Sequence, residues 1–130
     1  MTDNQAFTKL PDSELEVMEA IWALYEKDEK PVTASMAIKH FPELTRRKMT
    51  TVLTLINRLV ARGFLSVDKS GRANCYTPLV DVHTYRRLLT EDFLHRAYLD
   101  EPLELLLHVI NSSQLSHGDI AALKAALKTK

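Results

Sequence analysis

Between Arg46 and Thr54 stand three cations, Arg46, Arg47 and Lys48, and three hydroxyls, Thr50, Thr51 and Thr54, with Arg58 one turn further on. A guanidinium is a planar fork that pairs with two acceptors at once, and a short hydroxyl or methyl can approach a base edge without crowding it. Such a set suits contact with a nucleic acid. The net charge of the 130-residue chain is zero, yet residues 45–72 hold seven bases against one acid, Asp68, a local excess of +6. Residues 1–44 sum to −5 and residues 73–130 to −1. A short cationic segment flanked by acidic ones is the footprint of a nucleic-acid contact surface, and the overall charge conceals it.

Those residues need elements to hold them. Val52, Leu55, Ile56, Leu59 and Val60 recur at the spacing of one helix face, while Arg47, Thr50, Thr51, Thr54 and Arg58 fall on the other side. Gly63 stands where a left-handed C-cap residue belongs, so this helix should stop near Arg62. Two helices are expected before it. The first, roughly 13–25, carries a Ser13/Glu16 capping box and an apolar stripe from Leu15 to Tyr25. The second follows a Thr33 cap and ends at Pro42. Residues 1–10 show no periodicity and read as a loose arm.

Beyond the cationic helix, "FLSVDKSGRANCYTPL" reads as a hairpin with Ser70-Gly71 at its turn and Lys69 and Arg72 at its tip. Three helices followed by a basic hairpin form a winged helix-turn-helix. The fold class expected is mainly α with a small β-hairpin wing: residues 1–79 as a winged-helix DNA-binding domain, residues 80–130 as a helical dimerisation domain. Arg46, Arg47, Lys48, Thr50, Thr51, Thr54, Arg58, Lys69 and Arg72 are the DNA-binding candidates.

Past Pro78 the pattern becomes an apolar stripe on a helix over 82–99, then the greasy "PLELLLHVI", then a helix capped by Ser116 and Asp119. Three short helices, one apolar nearly all round, bury poorly in one chain, and a symmetric dimer covers them. Leu89, Phe93, Tyr98, Leu103, Leu106, Leu107, Ile110 and Leu123 are the residues expected at that interface.

Three stretches carry a family resemblance: "LPDSELEVMEAIW", "TVLTLINRLVARGFL" and "YTPLV" resemble the penicillinase-repressor family of BlaI/MecI type, which also includes copper-responsive CopY-like repressors. The resemblance runs from Leu10 to the "LSHGDIAALKAAL" ending. It implies a homodimeric winged-helix repressor on a palindromic operator of double-stranded DNA, in some members released when a membrane sensor protease system triggers cleavage. It places Thr51, Thr54 and Arg58 on the recognition helix and His108-Val109 at the position of the cleaved bond, which in the β-lactamase branch is an Asn-Phe pair. The copper branch carries a C-terminal cysteine cluster, and this chain has no cysteine after Cys75.

Other function classes find little footing. The five histidines are scattered, and no metal-ligand spacing or glycine-rich phosphate loop is present, so no catalysis, metal or cofactor is expected. With no 18-residue apolar run and no secretory leader, the expected location is cytoplasmic, without membrane insertion. Two rivals share the fold: a protein-interaction module whose basic face meets an acidic partner, and a ligand-gated repressor whose pocket is lined by Tyr85, Phe93 and Tyr98. The exposed face lacks the Trp or Tyr expected of a protein hot spot. Cutting the chain anywhere from Val80 to Ile110 is expected to leave a folded N-terminal domain.

Overall fold

The computed structural model describes residues 7–28 and 30–130, so residues 1–6 of the expected arm lie outside the described residues. Among the described residues, seven helices and one hairpin follow in the order α1 (Asp12–Asp28), α2 (Ala34–His40), α3 (Pro42–Thr45), α4 (Met49–Ala61), β1 (Leu65–Asp68), β2 (Cys75–Pro78), α5 (Val82–Tyr98), α6 (Pro102–Ser112) and α7 (His117–Lys128). The chain forms two compact units, one up to Leu89 and one from Thr90 to Lys130.

In the first unit the apolar faces of α1, α2 and α4 meet around Val17, Met18, Ile21, Ala37, Val52, Ile56 and Leu59, all essentially without solvent access. The face of α4 is the one the spacing predicts, with Val60 half-buried at its margin. Gly63 takes φ +84°, its N–H donates to Val60 O, and the N–H of Phe64 donates to Leu59 O. This is a Schellman ending, and it turns the chain straight from α4 into the hairpin. Thr33 caps α2 by accepting from the N–H of Met36, as expected.

Several expectations change. Helix α1 begins at Asp12, so Ser13 lies inside its first turn and makes no capping box; the N–H of Leu15 instead donates to Pro11 O. Leu10 is buried and Phe7 packs 5.6 Å from the Tyr85 ring, so this part of the arm is docked rather than loose. The hairpin pairs Leu65 with Pro78 and Asp68 with Cys75, which leaves residues 69–74 as the connection instead of a two-residue turn at Ser70-Gly71. Val32 adds a single antiparallel bridge to Tyr76 that the sequence reading did not contain.

The first unit also extends past residue 79. Val82 and Tyr85 of α5 are buried in its core, and Leu89, expected at a dimer interface, packs against that core. Tyr85 receives a hydrogen bond from the N–H of Leu10 at 2.9 Å and lies against Phe7, Trp22 and Phe64. Trp22 donates to Val80 O at 2.8 Å. The start of α5 is thus a structural part of the winged-helix unit.

The second unit buries little. Helix α6 has no buried residue, and Phe93, Leu103, Leu106, Leu107, Val109, Ile110, Ile120, Leu123 and Leu127 are all exposed. Ser116 and Asp119 form a reciprocal capping box on α7, as the sequence indicated. No helix among the described residues is long and apolar enough to cross a membrane.

Candidate nucleic-acid interface

Helix α4 presents opposite chemistries on its two sides. Val52, Leu55, Ile56 and Leu59 are buried, whereas Thr50, Thr51, Thr54 and Arg58 are exposed. At 100° per residue these four lie on one stripe, and so does the exposed Asn57, which the sequence reading passed over. The same arithmetic finds it, and an amide is the side chain that pairs with both acceptor and donor on adenine. Thr54 Oγ1 donates to Thr50 O at 2.9 Å, which uses its proton and leaves its lone pairs able to accept.

The cations separate into two groups. Lys48, Arg58, Lys69 and Arg72 are exposed and have no carboxylate partner among the described residues. An open groove of about 390 Å³ runs between the start of α4 and the wing, lined by Met49, Leu53, Arg72 and Asn74 among others, so wing and helix flank one surface. Asp68 steadies the wing connection: it accepts from the Ser70 hydroxyl at 2.6 Å and the Ser70 N–H at 2.9 Å, and these bonds hold its carboxyl below the ordinary value. A lowered carboxyl stabilises the folded loop above its ordinary pKa, and that contribution fades as pH falls through the lowered one.

The other three cations are engaged. Arg47, expected to face the groove of a nucleic acid, turns toward α1 and places Nε and Nη2 at 3.0 and 2.8 Å from Glu16 Oε1. Arg46, in the same turn before α4, donates to Glu43 O and sits 3.6 Å from Glu16 Oε2. At the far end of α4, Arg62 reaches the buried Glu14 with Nε at 2.6 Å from Oε1, and that hydrogen bond pushes the guanidinium pKa further up. Glu14 and Glu16 are two residues apart, so they leave α1 on opposite sides and tie down both ends of α4. Replacing Arg62 would leave the Glu14 charge buried and unpaired, so the pair holds α4 against α1.

A match to the family model described as "Penicillinase repressor" covers residues 10–129. The chain belongs to the penicillinase repressor family. It is 29% identical over 120 residues to the penicillinase repressor of Bacillus licheniformis, covering 92% of this chain and 90% of that one. It is 26% identical over 128 residues to the methicillin resistance regulatory protein MecI of Staphylococcus aureus strain N315, covering 98% and 99%. The solution structure of the DNA-binding domain of the repressor BlaI aligns with 62% of this chain and 92% of its own, at 30% identity and a TM-score of 0.49. Penicillinase repressor relatives are named as regulators and not as enzymes, which agrees with the scattered histidines.

In this penicillinase repressor family member the remaining candidates belong mostly to the second unit. Phe93 and Tyr98 meet edge-to-face with ring centroids 5.7 Å apart, and the Tyr98 hydroxyl is 2.9 Å from His108 Nδ1. Tyr85 is enclosed in the core of the first unit, so the three aromatics of the ligand-gated alternative are divided between the two units.

Proposed function

We propose that the chain is a DNA-binding transcriptional repressor that acts as a homodimer on a palindromic operator, with α4 in the major groove and the wing on the flanking phosphates. The observation that carries this reading is the exposed stripe of Thr50, Thr51, Thr54, Asn57 and Arg58 on a helix whose opposite face is buried. Hydroxyls, an amide and an arginine at one-turn spacing are the groups that read base edges. Lys48, Lys69 and Arg72 border them, and cations of this kind set position on phosphates without carrying sequence information. Membership of a repressor family supports the regulatory role and a cytoplasmic location. Arg46 contributes as a partly shared cation, whereas Arg47 braces the turn.

The tail supplies the dimer in this reading, because the exposed leucines of α6 and Leu123 of α7 need a cover and a second copy provides an identical face. Cleavage in α6 around His108 and Val109, by a membrane sensor protease system as the family resemblance implies, would separate the two wings.

With Lys48, Lys69, Arg72 and the partly shared Arg46 each meeting a phosphate, a dimer neutralises about eight phosphates, so log affinity should fall with log salt at a slope near −7. A titration of a palindromic duplex at several salt concentrations reads this slope, and binding that ignores salt refutes the assignment. Replacing Thr51 by Ala should cost about 1 to 3 kcal/mol on the operator and much less on random duplex, whereas Arg72→Ala should weaken both alike. Equal losses for the Thr51 variant on both duplexes would move the base-reading face elsewhere.

A further inference from the structure

Glu16 lies outside the DNA-facing set, yet it holds the two arginines that lead into α4. One carboxylate oxygen receives both Nε and Nη2 of Arg47, and the other stands 3.6 Å from Arg46. The Glu16 side chain is 29% exposed and that of Arg47 is 25% exposed, so the pair sits at the edge of the surface and not in the core. A guanidinium fork binds a carboxylate and a phosphate by the same geometry. Glu16 therefore occupies on Arg47 the place that a backbone phosphate would take.

On the reading of α4 as the DNA-binding helix, we propose that Glu16 is a resident counter-charge that limits sequence-independent DNA affinity. While Glu16 is ionised, the Glu16–Arg47 pair adds no net charge to the surface beside α4. Neutralising the carboxylate releases one unit of positive charge per protomer at a point that Arg46 and Lys48 already make attractive to phosphate. The gain acts on any sequence, because phosphates are the same in every duplex. A purely structural brace behaves in the opposite way, since loosening the turn before α4 would lower affinity and leave the number of displaced counterions unchanged or smaller.

The experiment compares the full chain with Glu16→Gln on a random-sequence duplex long enough for both protomers, at a series of salt concentrations. Glutamine keeps an oxygen acceptor where the carboxylate stood, and circular dichroism with thermal unfolding checks the fold. The variant should bind roughly fivefold tighter per protomer at low salt, or roughly 30-fold for a dimer, the size of one unit-charge contact at about 4 Å in water for each protomer. Its slope should steepen by about 0.9 per protomer, or about 1.8 for a dimer. The double variant E16Q/R47Q carries the same net charge at this place as the wild type and should restore the original slope. A folded Glu16→Gln protein with an unchanged or shallower slope, or a double variant that keeps the steeper one, overturns the inference. Wild-type protein that binds duplex without any salt dependence would instead remove the DNA reading on which it rests.

Discussion

Removing residues 90–130 should lower affinity for a duplex carrying both half-sites by a factor of roughly 10² to 10⁴ while residues 1–89 stay folded. The core explains why this cut is tolerated: every fully buried apolar residue from Leu10 to Tyr85 lies in the first unit, and the second unit contributes none. The affinity loss comes from linkage. In the proposed dimer, two linked wings would meet half-sites about one helical turn apart, or a multiple of that, so the second contact would be intramolecular. Without the tail each wing must bind alone, and correct but weak half-site binding remains. Mass and affinity of the fragment 1–89 should be measured together. A fragment that stays dimeric, or binds the full palindrome as tightly as the whole chain, would show that the tail is not the dimerisation element. The cut must fall beyond Leu89, because a fragment ending at residue 80 loses Val82 and Tyr85 from the core. Of the cuts from Val80 to Ile110, those upstream of Tyr85 are therefore expected to unfold the N-terminal domain instead of sparing it.

Local chemistry made much of this molecule legible from the sequence. The two faces of α4 follow from residues three and four apart, the stop at Gly63 from one left-handed position, and the start of α7 from Ser116 and Asp119. Each signal lies within a few residues of the element it controls. What escaped depends on partners far along the chain. Glu16 reads as half of a capping box because Ser13 precedes it by three residues, yet its carboxylate is taken by Arg47, 31 positions away. Arg47 likewise shares the outward phase of Thr50 and Thr54, but it precedes the first residue of α4, where helical phase no longer fixes direction. Tyr85 fits the apolar stripe of α5 equally well as a tail residue or as a core residue, and only the rings of Phe7, Trp22 and Phe64 decide between them. Asn57 is legible from the sequence by the same phase as Thr50 and Thr54, although it carries neither charge nor hydroxyl.

Tyr85→Ala should cost about 3 to 5 kcal/mol of stability, the usual loss when a large buried aromatic is truncated. The ring is 2% exposed and has three aromatic neighbours at 5.6 to 5.7 Å, so no single neighbour can move in to fill the gap. The truncation also leaves the N–H of Leu10 without its acceptor 75 residues away. Tyr85→Phe isolates that second effect, because it keeps the ring and removes only the hydroxyl, and it should cost about 1 to 3 kcal/mol, the penalty for one unpaired buried donor. Urea unfolding of the fragment 1–89 measures both, with the Ala variant expected to unfold at distinctly lower urea than the Phe variant. Since a domain of this size has only about 5 to 15 kcal/mol in hand, the Ala variant should approach the limit of folding. The order of the two losses bears on function. If Tyr85 closes the core, proteolysis of the proposed dimer beyond Leu89 would separate two intact wings, whereas proteolysis before Tyr85 would unfold each wing. Ala and Phe variants that both unfold at the wild-type urea concentration would place Tyr85 outside the core and return the domain boundary to residue 79.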